Sequence, residues 1–386
     1  MCSETQVFEG KGLSMSEKII NQEHVAVFMH DFRGGGAERV SISLCNELVR
    51  HDVKTTIIVV NNKGEMARQI SETVNIIELK SMRMATSFWE LKNVVKKIKP
   101  DKVISHMTHA NVTACIASLL GGFREKLFIV EHNQMQRNYE VVRKRSVKLA
   151  YLLAKVIYKA PKKIIAVSEG VKDSVCEYTS AKREDVAVVY NPVVTNRILN
   201  HVVSEKIELH PYFNDDVPVF VMVGSLTIQK NYSLFLQAFK MFICKQDARA
   251  VILGEGEERQ KLEAQKELLD LRGKVDFVGF VDNPYDYIAN ADAFVMSSSW
   301  EGLPTVLIEA LALGTVVVST DCKSGPREIL DSGKYGYLVD VDDVNALSET
   351  MFDALNNANF DIKARSMTFT AEASVKGYFN VIREGA

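Results

Sequence analysis

The stretch AFVMSSSWEGLPTVLIEALALGTVVVS, residues 293–319, decides the architecture of this chain. An apolar run leads into a polar loop, Pro304 opens an almost wholly apolar segment, Gly314 closes it, and a second β-branched run begins at Thr315. Proline suits a first helical position because the amide hydrogen it lacks has no partner there. Glycine suits the position after a helix because it turns left-handed without a Cβ clash. Strand, helix and strand in that order form a βαβ unit and predict a parallel sheet.

The same alternation extends towards the amino terminus. Short strands are predicted at HVAVFM (24–29), TTIIVV (55–60), KVIS (102–105), LFIV (127–130) and KIIAV (163–167), with helical stretches between them. A second series follows at VFVMVG (219–224), AVILG (250–254) and VDFVG (275–279), and continues into the opening stretch. Between the series, Pro192, Pro211, Asn214, Asp215 and Asp216 interrupt the rhythm. The expected class is therefore α/β, with two Rossmann-like doubly wound domains facing across a cleft. The expected divisions are a loosely ordered extension at 1–22, a first domain at 23–195, a linker at 196–217, a second domain at 218–359 and a terminal segment at 360–386. In that last segment Phe369, Ala373, Val375, Phe379 and Ile382 have helical spacing, which predicts a helix crossing back to the first domain. Doubly wound sheets bind ligands beyond the carboxyl ends of their strands, so function belongs in the post-strand loops.

Bulk properties agree with this division. A chain of 386 residues exceeds what one hydrophobic core usually supports. A formal net charge of −2 gives no overall attraction to nucleic acid, and none is expected as a partner. Six scattered cysteines without a CxxC pair are typical of a reducing compartment. No apolar run approaches the roughly 20 residues of a membrane span, so a soluble or peripheral protein is expected.

The loop and helix of the opening stretch carry the most chemistry. Backbone N–H groups at Leu303 to Val306 form the positive end of a helix dipole, a seat for a diphosphate. Glu301 stands just before that seat, where its carboxylate can accept hydrogen bonds from sugar hydroxyls. Glu309 lies within VLIEALAL, where an unpaired charge is costly, so it should have a partner such as the two hydroxyls of a ribose. Two ordinary surface carboxylates are the alternative reading.

Glu301 to Glu309, with Gly302 and Pro304, resembles the E-x7-E motif of glycosyltransferase family 4. Gly34-Gly35-Gly36-Ala37-Glu38-Arg39-Val40 resembles that family's first glycine-rich loop, Gly224 to Asn231 its phosphate-binding loop, and Gly254-Glu255-Gly256 the turn after a later strand. The resemblance implies a GT-B fold and a retaining, metal-independent transfer of a hexose or N-acetylhexosamine from a nucleotide diphosphate sugar. The donor is expected to be UDP-linked and no further cofactor is expected. It implies donor contacts at Gly35, Gly36, Ser225, Lys230, Asn231, Gly256, Val281, Glu301, Gly302, Leu303, Pro304, Thr305 and Glu309. Among these, Lys230 faces the diphosphate; Val278 to Asp282 reads either as a strand and bend whose backbone pairs with a nucleobase edge or simply as a buried strand. His109 resembles the histidine that contacts the donor sugar near the reacting carbon, so His109, Lys230 and Glu301 are the expected catalytic group. Where the family carries an arginine beside the first glycine of the phosphate loop, this chain has Ser225, and Arg39, Arg259 or Arg327 is expected to substitute. The DxD at Asp340-Val341-Asp342 is read as preceding a late helix near the edge of the chain rather than as part of a post-strand loop, and no metal is expected.

The acceptor side is read from two features. His132 and Asn133 form a polar cluster after the strand at 127–130. From Arg137 to Lys163 basic residues dominate, with Glu140 as the single acid, and apolar residues are interleaved. Part of this helical segment is expected to pack its apolar face on the sheet. Its clustered charge, at Arg143, Lys144, Arg145 and Lys148, also suits docking on an anionic membrane that presents a polyprenyl-diphosphate-linked glycan. The expected setting is surface-polysaccharide assembly of the O-antigen or capsule type, at the cytoplasmic face of the inner membrane. A nucleotide-sugar epimerase or phosphorylase, and a non-catalytic sugar-nucleotide-binding subunit, are the competing readings.

Overall fold

The computed structural model describes residues 22–33, 35–81, 83–203, 209–356 and 359–384. The extension expected at 1–22, apart from Gln22, and Gly34 of the first glycine loop lie outside the described residues.

The first sheet has seven strands: β1 (His24–Met29), β2 (Lys54–Val59), β3 (Asn75–Glu78), β4 (Lys102–His106), β5 (Leu127–Glu131), β6 (Lys163–Ala166) and β7 (Val186–Val188), in spatial order β3-β2-β1-β4-β5-β6-β7. The second has six: β8 (Val219–Val223), β9 (Arg249–Leu253), β10 (Val275–Gly279), β11 (Ala293–Met296), β12 (Val317–Thr320) and β13 (Tyr337–Val339), in order β10-β9-β8-β11-β12-β13. Every neighbouring pair is parallel. In each sheet the order reverses at one point, between β1 and β4 and between β8 and β11. Loops leaving those strands diverge there and open a crevice.

All ten predicted strands are present, with ends shifted by up to two residues. Three strands were not foreseen: β3, β7 and β13. Each is short and partly exposed, and β3, β7 and β13 each pair with one neighbour. β7 and β13 are apolar but only three residues long, and β3 has four residues with polar ends, so none offers the longer apolar run that marks the central strands.

The helix of the opening stretch spans Thr305–Leu313. Pro304 precedes it in an extended conformation, one position earlier than predicted, and Gly314 caps its end at φ 85°. This helix is apolar around most of its circumference because it is buried on most sides. Leu303, Leu307, Ile308 and Leu311 belong to the same continuous core as the first sheet, while Phe220, Phe235, Phe239 and Phe242 form a separate core on the far side of the second sheet. The terminal helix Ala371–Arg383 lies against the helix Gly36–Arg50 of the first domain. Its Phe379 ring stands 5.8 Å from His51, and Arg383 pairs with Glu23 at 2.6 Å. The basic segment is two helices, Met135–Val141 and Arg145–Ile157, rather than one. Among the described residues no helix is long and apolar enough to cross a membrane.

Candidate active site

Two post-strand loops meet at the reversal point of the second sheet. The Ser297 hydroxyl donates to the Lys230 carbonyl at 2.9 Å, and the Ser299 amide donates to the Gln229 carbonyl at 2.8 Å. These bonds tie the loop after β8 to the loop after β11. The Glu301 side chain is held in the corner between them and is only 6% exposed. Its Oε1 accepts from Lys230 Nζ at 2.6 Å and from the Ser298 hydroxyl at 2.7 Å, and its Oε2 accepts from Gln229 Nε2 at 3.2 Å. A buried carboxylate needs such company, since an unpaired one would cost several kcal/mol. Glu301 is therefore a fixed acceptor, oriented from three sides.

The first domain closes over this corner. Gly302 passes so near the main chain of the loop after β5 that a Cβ there would collide with the His132 carbonyl oxygen. The Gly302 carbonyl in turn accepts from the hydroxyls of Ser168, at 2.9 Å, and Ser324, at 2.7 Å. Between the domains lies a cleft of about 340 Å³. Gly35, Gly36, Glu38, Met107, His132, Asn133 and Asn191 line one wall; Gly224, Ser225, Lys230, Glu301, Gly302, Leu303, Pro304 and Thr305 line the other. Most of the expected donor residues thus share one cavity, with the start of the helix Thr305–Leu313 opening into it.

Several expected residues lie elsewhere. Asn231, in the left-handed region at φ 46°, turns its side chain to Asp342 at 2.8 Å. Gly256 packs against the Leu226 backbone and Val281 against the apolar core, and neither lines this cleft. Glu309 is 1% exposed and faces the first domain, with Oε1 3.4 Å from Arg39 Nη1. Its Oε2 has no hydrogen-bond partner among the described residues. Burial pushes this carboxyl above the usual carboxylate range, against the opposing pull of Arg39 and Arg197. A small cavity beside it is lined by Gly36, Arg39, Thr195, Arg197, Tyr285 and Thr305.

His109 is partly exposed, is not among the residues lining this cleft, and meets the His30 ring edge-on at 5.6 Å. Burial, reinforced by the neighbouring charges of His30 and Lys144, holds its pKa down at about 4. His132 does line the cleft, and burial likewise holds it at about 4. Its Nε2 is 3.0 Å from His106 Nδ1, so the buried pair shares one hydrogen bond. Both imidazoles are neutral near pH 7.

Sequence reasoning missed Ser168 and Ser324, which lie in no quoted motif, and gave no role to Gln229 and Ser298 within the loops that it did single out. It also missed Met107, held at φ 79° in the cleft wall. Of the substitutes for the missing arginine, Arg259 is engaged by Glu255, Glu263 and the Phe277 carbonyl, and Arg327 by Asp321. Of these three arginines, Arg39 is the one that pairs with the opposite domain.

Part of the basic segment packs inward, as expected, and part does not. Ala150, Tyr151 and Ala154 face inward, whereas Leu149, Leu152, Leu153 and Val156 form an exposed stripe, with Val156 at 74%. Arg143 and Lys144 lie in the break between its two helices, and Arg143 pairs with Glu257 of the second domain at 3.7 Å.

Two parallel sheets facing across a cleft are the GT-B arrangement. Residues 34–197 match Glycosyltransferase Family 4, and residues 204–371 match Glycosyl transferases group 1. Together the two glycosyltransferase models span most of the chain, the family 4 model its first half and the group 1 model its second. An uncharacterised glycosyltransferase of Methanocaldococcus jannaschii is 33% identical over 251 residues, 63% of this chain and 61% of that protein. The N-acetylgalactosamine-N,N'-diacetylbacillosaminyl-diphospho-undecaprenol 4-alpha-N-acetylgalactosaminyltransferase of Campylobacter jejuni is 28% identical over 353 residues, 89% of this chain and 92% of that enzyme. Anabaena HepE in complex with UDP and glucose has the same fold, with a TM-score of 0.76 at 17% identity, covering 94% of this chain and 100% of that one.

Proposed function

We propose that this glycosyltransferase moves a hexosyl or N-acetylhexosaminyl unit from a UDP-sugar to a polyprenyl-diphosphate-linked glycan in surface-polysaccharide assembly, with retention at the anomeric carbon. The observation that carries the proposal is the Glu301 corner. A carboxylate fixed by Lys230, Ser298 and Gln229 stands at the mouth of a helix whose N–H groups open into the same cleft. Glu301 holds sugar hydroxyls, Lys230 and the helix start bind the diphosphate, and Glu309 takes the ribose. Charge on the leaving group is met by cations and N–H dipoles rather than by a metal.

Retention follows a front-face course. The bond from the anomeric carbon to the diphosphate oxygen breaks with its electron pair on oxygen, the acceptor hydroxyl bonds to the same face, and its proton passes to the departing diphosphate. No carboxylate is assigned as nucleophile. The lipid-linked acceptor is supported by the Campylobacter jejuni relatives, two of which are named for undecaprenol-diphosphate substrates. The exposed leucine stripe with its flanking Arg145, Lys148 and Lys155 supports peripheral contact with an anionic membrane at the cytoplasmic face.

A donor screen tests the reading. Thermal stabilisation and slow hydrolysis are measured across UDP- and GDP-sugars, and the donor that stabilises the protein is supplied with a lipid-linked acceptor. One UDP-sugar should raise the melting temperature and be transferred with its anomeric configuration kept. Absence of stabilisation by every nucleotide sugar would overturn the proposal, and an inverted product would overturn its stereochemistry.

A further inference from the structure

The cleft as described carries little positive charge for a diphosphate. Its lining holds two carboxylates, Glu38 and Glu301, and one cation, Lys230, whose ammonium is 2.6 Å from Glu301. A departing nucleoside diphosphate gathers charge as its bond breaks, and cations fixed around it account for much of the catalysis in such transfers. A second cation is needed. In the second domain Arg259 and Arg327 are committed to carboxylates of their own surface.

Arg39 is placed differently. It projects from the first turns of the helix Gly36–Arg50 and bridges to the opposite domain, where one nitrogen meets Glu309 at 3.4 Å. Charge-assisted bonds usually close to about 2.7–2.9 Å, and a guanidinium offers a fork of donors to a carboxylate. The contact is long and single, and the second Glu309 oxygen is buried without a partner among the described residues. The buried carboxylate is thus incompletely satisfied, while the Arg39 side chain, 34% exposed, is free to turn to another acceptor. The small cavity beside them shares Gly36 and Thr305 with the main cleft. Thr305 and Glu309 are four residues apart and so lie on one helix face, about one turn from the proposed diphosphate seat.

We infer that Arg39 supplies from the first domain the phosphate-binding cation that Ser225 does not, exchanging Glu309 for the β-phosphate when ribose hydroxyls take over the Glu309 carboxylate. The inference rests on the nucleotide-sugar reading above. The exchange leaves each group better paired: Glu309 accepts from two hydroxyls, and Arg39 donates its fork to phosphate oxygens. Because Arg39 and Lys230 stand on different domains, the clamp is complete only when the cleft is closed, which couples closure to departure of the leaving group.

Titration calorimetry on the full chain with UMP and UDP, and in parallel GMP and GDP, tests this through the preference for diphosphate over monophosphate. Wild type should prefer the diphosphate. In R39Q that preference should fall by roughly 10-fold or more, the range expected for a charge-assisted contact. Monophosphate affinity should stay within about threefold, and R39K should be intermediate because it restores charge without the fork. R39Q/E309Q, which leaves no uncompensated buried carboxylate, should show the same loss of preference even if R39Q folds poorly. A wild-type preference retained in both variants would overturn the role of Arg39 while leaving nucleotide binding intact. Failure of wild type to bind any of the four nucleotides would overturn this inference together with the reading it rests on.

Discussion

Glu301 and Lys230 lean on each other before either can serve a substrate. Their ion pair is 7% and 20% exposed, so little solvent remains to replace a missing partner. K230A should destabilise the fold by about 3 kcal/mol, the usual order for stranding one half of a buried pair, and should lower transfer at least about 100-fold. K230A/E301Q should recover much of the stability and none of the activity. Urea melts with transfer assays check both, and undiminished transfer by K230A would remove Lys230 from the site.

His132 makes a second prediction at this scale. An unfolded chain protonates it near pH 6.5, whereas burial delays protonation in the fold to about 4. Between those values the unfolded state holds more protons, so stability carried by neutral His132 is present above about pH 6.5 and is lost as pH falls towards 4. The buried carboxyls of Glu131 and Glu309, raised by burial, act in the opposite direction, so the informative comparison is between variants. Unfolding free energy measured from pH 6.5 to 4.5 should fall less steeply in H132Q than in wild type, by up to about 1.4 kcal/mol per pH unit. Equal slopes would mean that His132 is not held neutral.

Among elements, the helix Arg145–Ile157 departs most from its expected environment. Its apolar spacing at Leu149, Leu152, Leu153 and Val156 resembles that of a core-facing helix, yet the smaller Ala150 and Ala154, with Tyr151, pack inward. An amphipathic pattern marks a stripe but does not say what covers it. In liposome flotation, reversing charge at Arg143, Lys144, Arg145 and Lys148 should release the protein from anionic vesicles, at roughly 1 kcal/mol per basic residue near the surface. L149S/L152S/L153S should weaken binding at high salt as well, because its contribution is not screened. Flotation unchanged in both variants, or by removal of anionic lipid, would exclude this face as the docking surface. The edge strands teach a related lesson: β3, β7 and β13 are only three or four residues long, too short for their apolar residues to stand out as a run.

At the scale of the whole molecule, the site exists only because two domains meet. Gly302 touches the backbone after β5, Ser168 and Ser324 converge on its carbonyl, and Arg39 reaches Glu309. G302A should force the His132 loop away and hold the cleft ajar. Small-angle scattering should report a larger radius of gyration, and transfer should drop by about 10- to 100-fold while the fold persists. A variant as compact and active as wild type would show that this contact does not set the closed state.

What the sequence by itself determined is what local pattern encodes: two parallel-sheet halves from alternating strand and helix, and a helix delimited by Pro304 and Gly314. It also placed Glu301, Gly302 and Lys230 where chain-reversal points bring post-strand loops together, because strand-end loops lie there in any doubly wound sheet. Tertiary structure alone decided the partners. Asn231 turned to Asp342, His132 rather than His109 reached the cleft, and Glu309 faced Arg39, because each direction depends on packing between segments far apart in the chain. Burial also gave Glu309 its unsatisfied oxygen and the histidines their neutrality, and burial is a property of the assembled domains that no local spacing records.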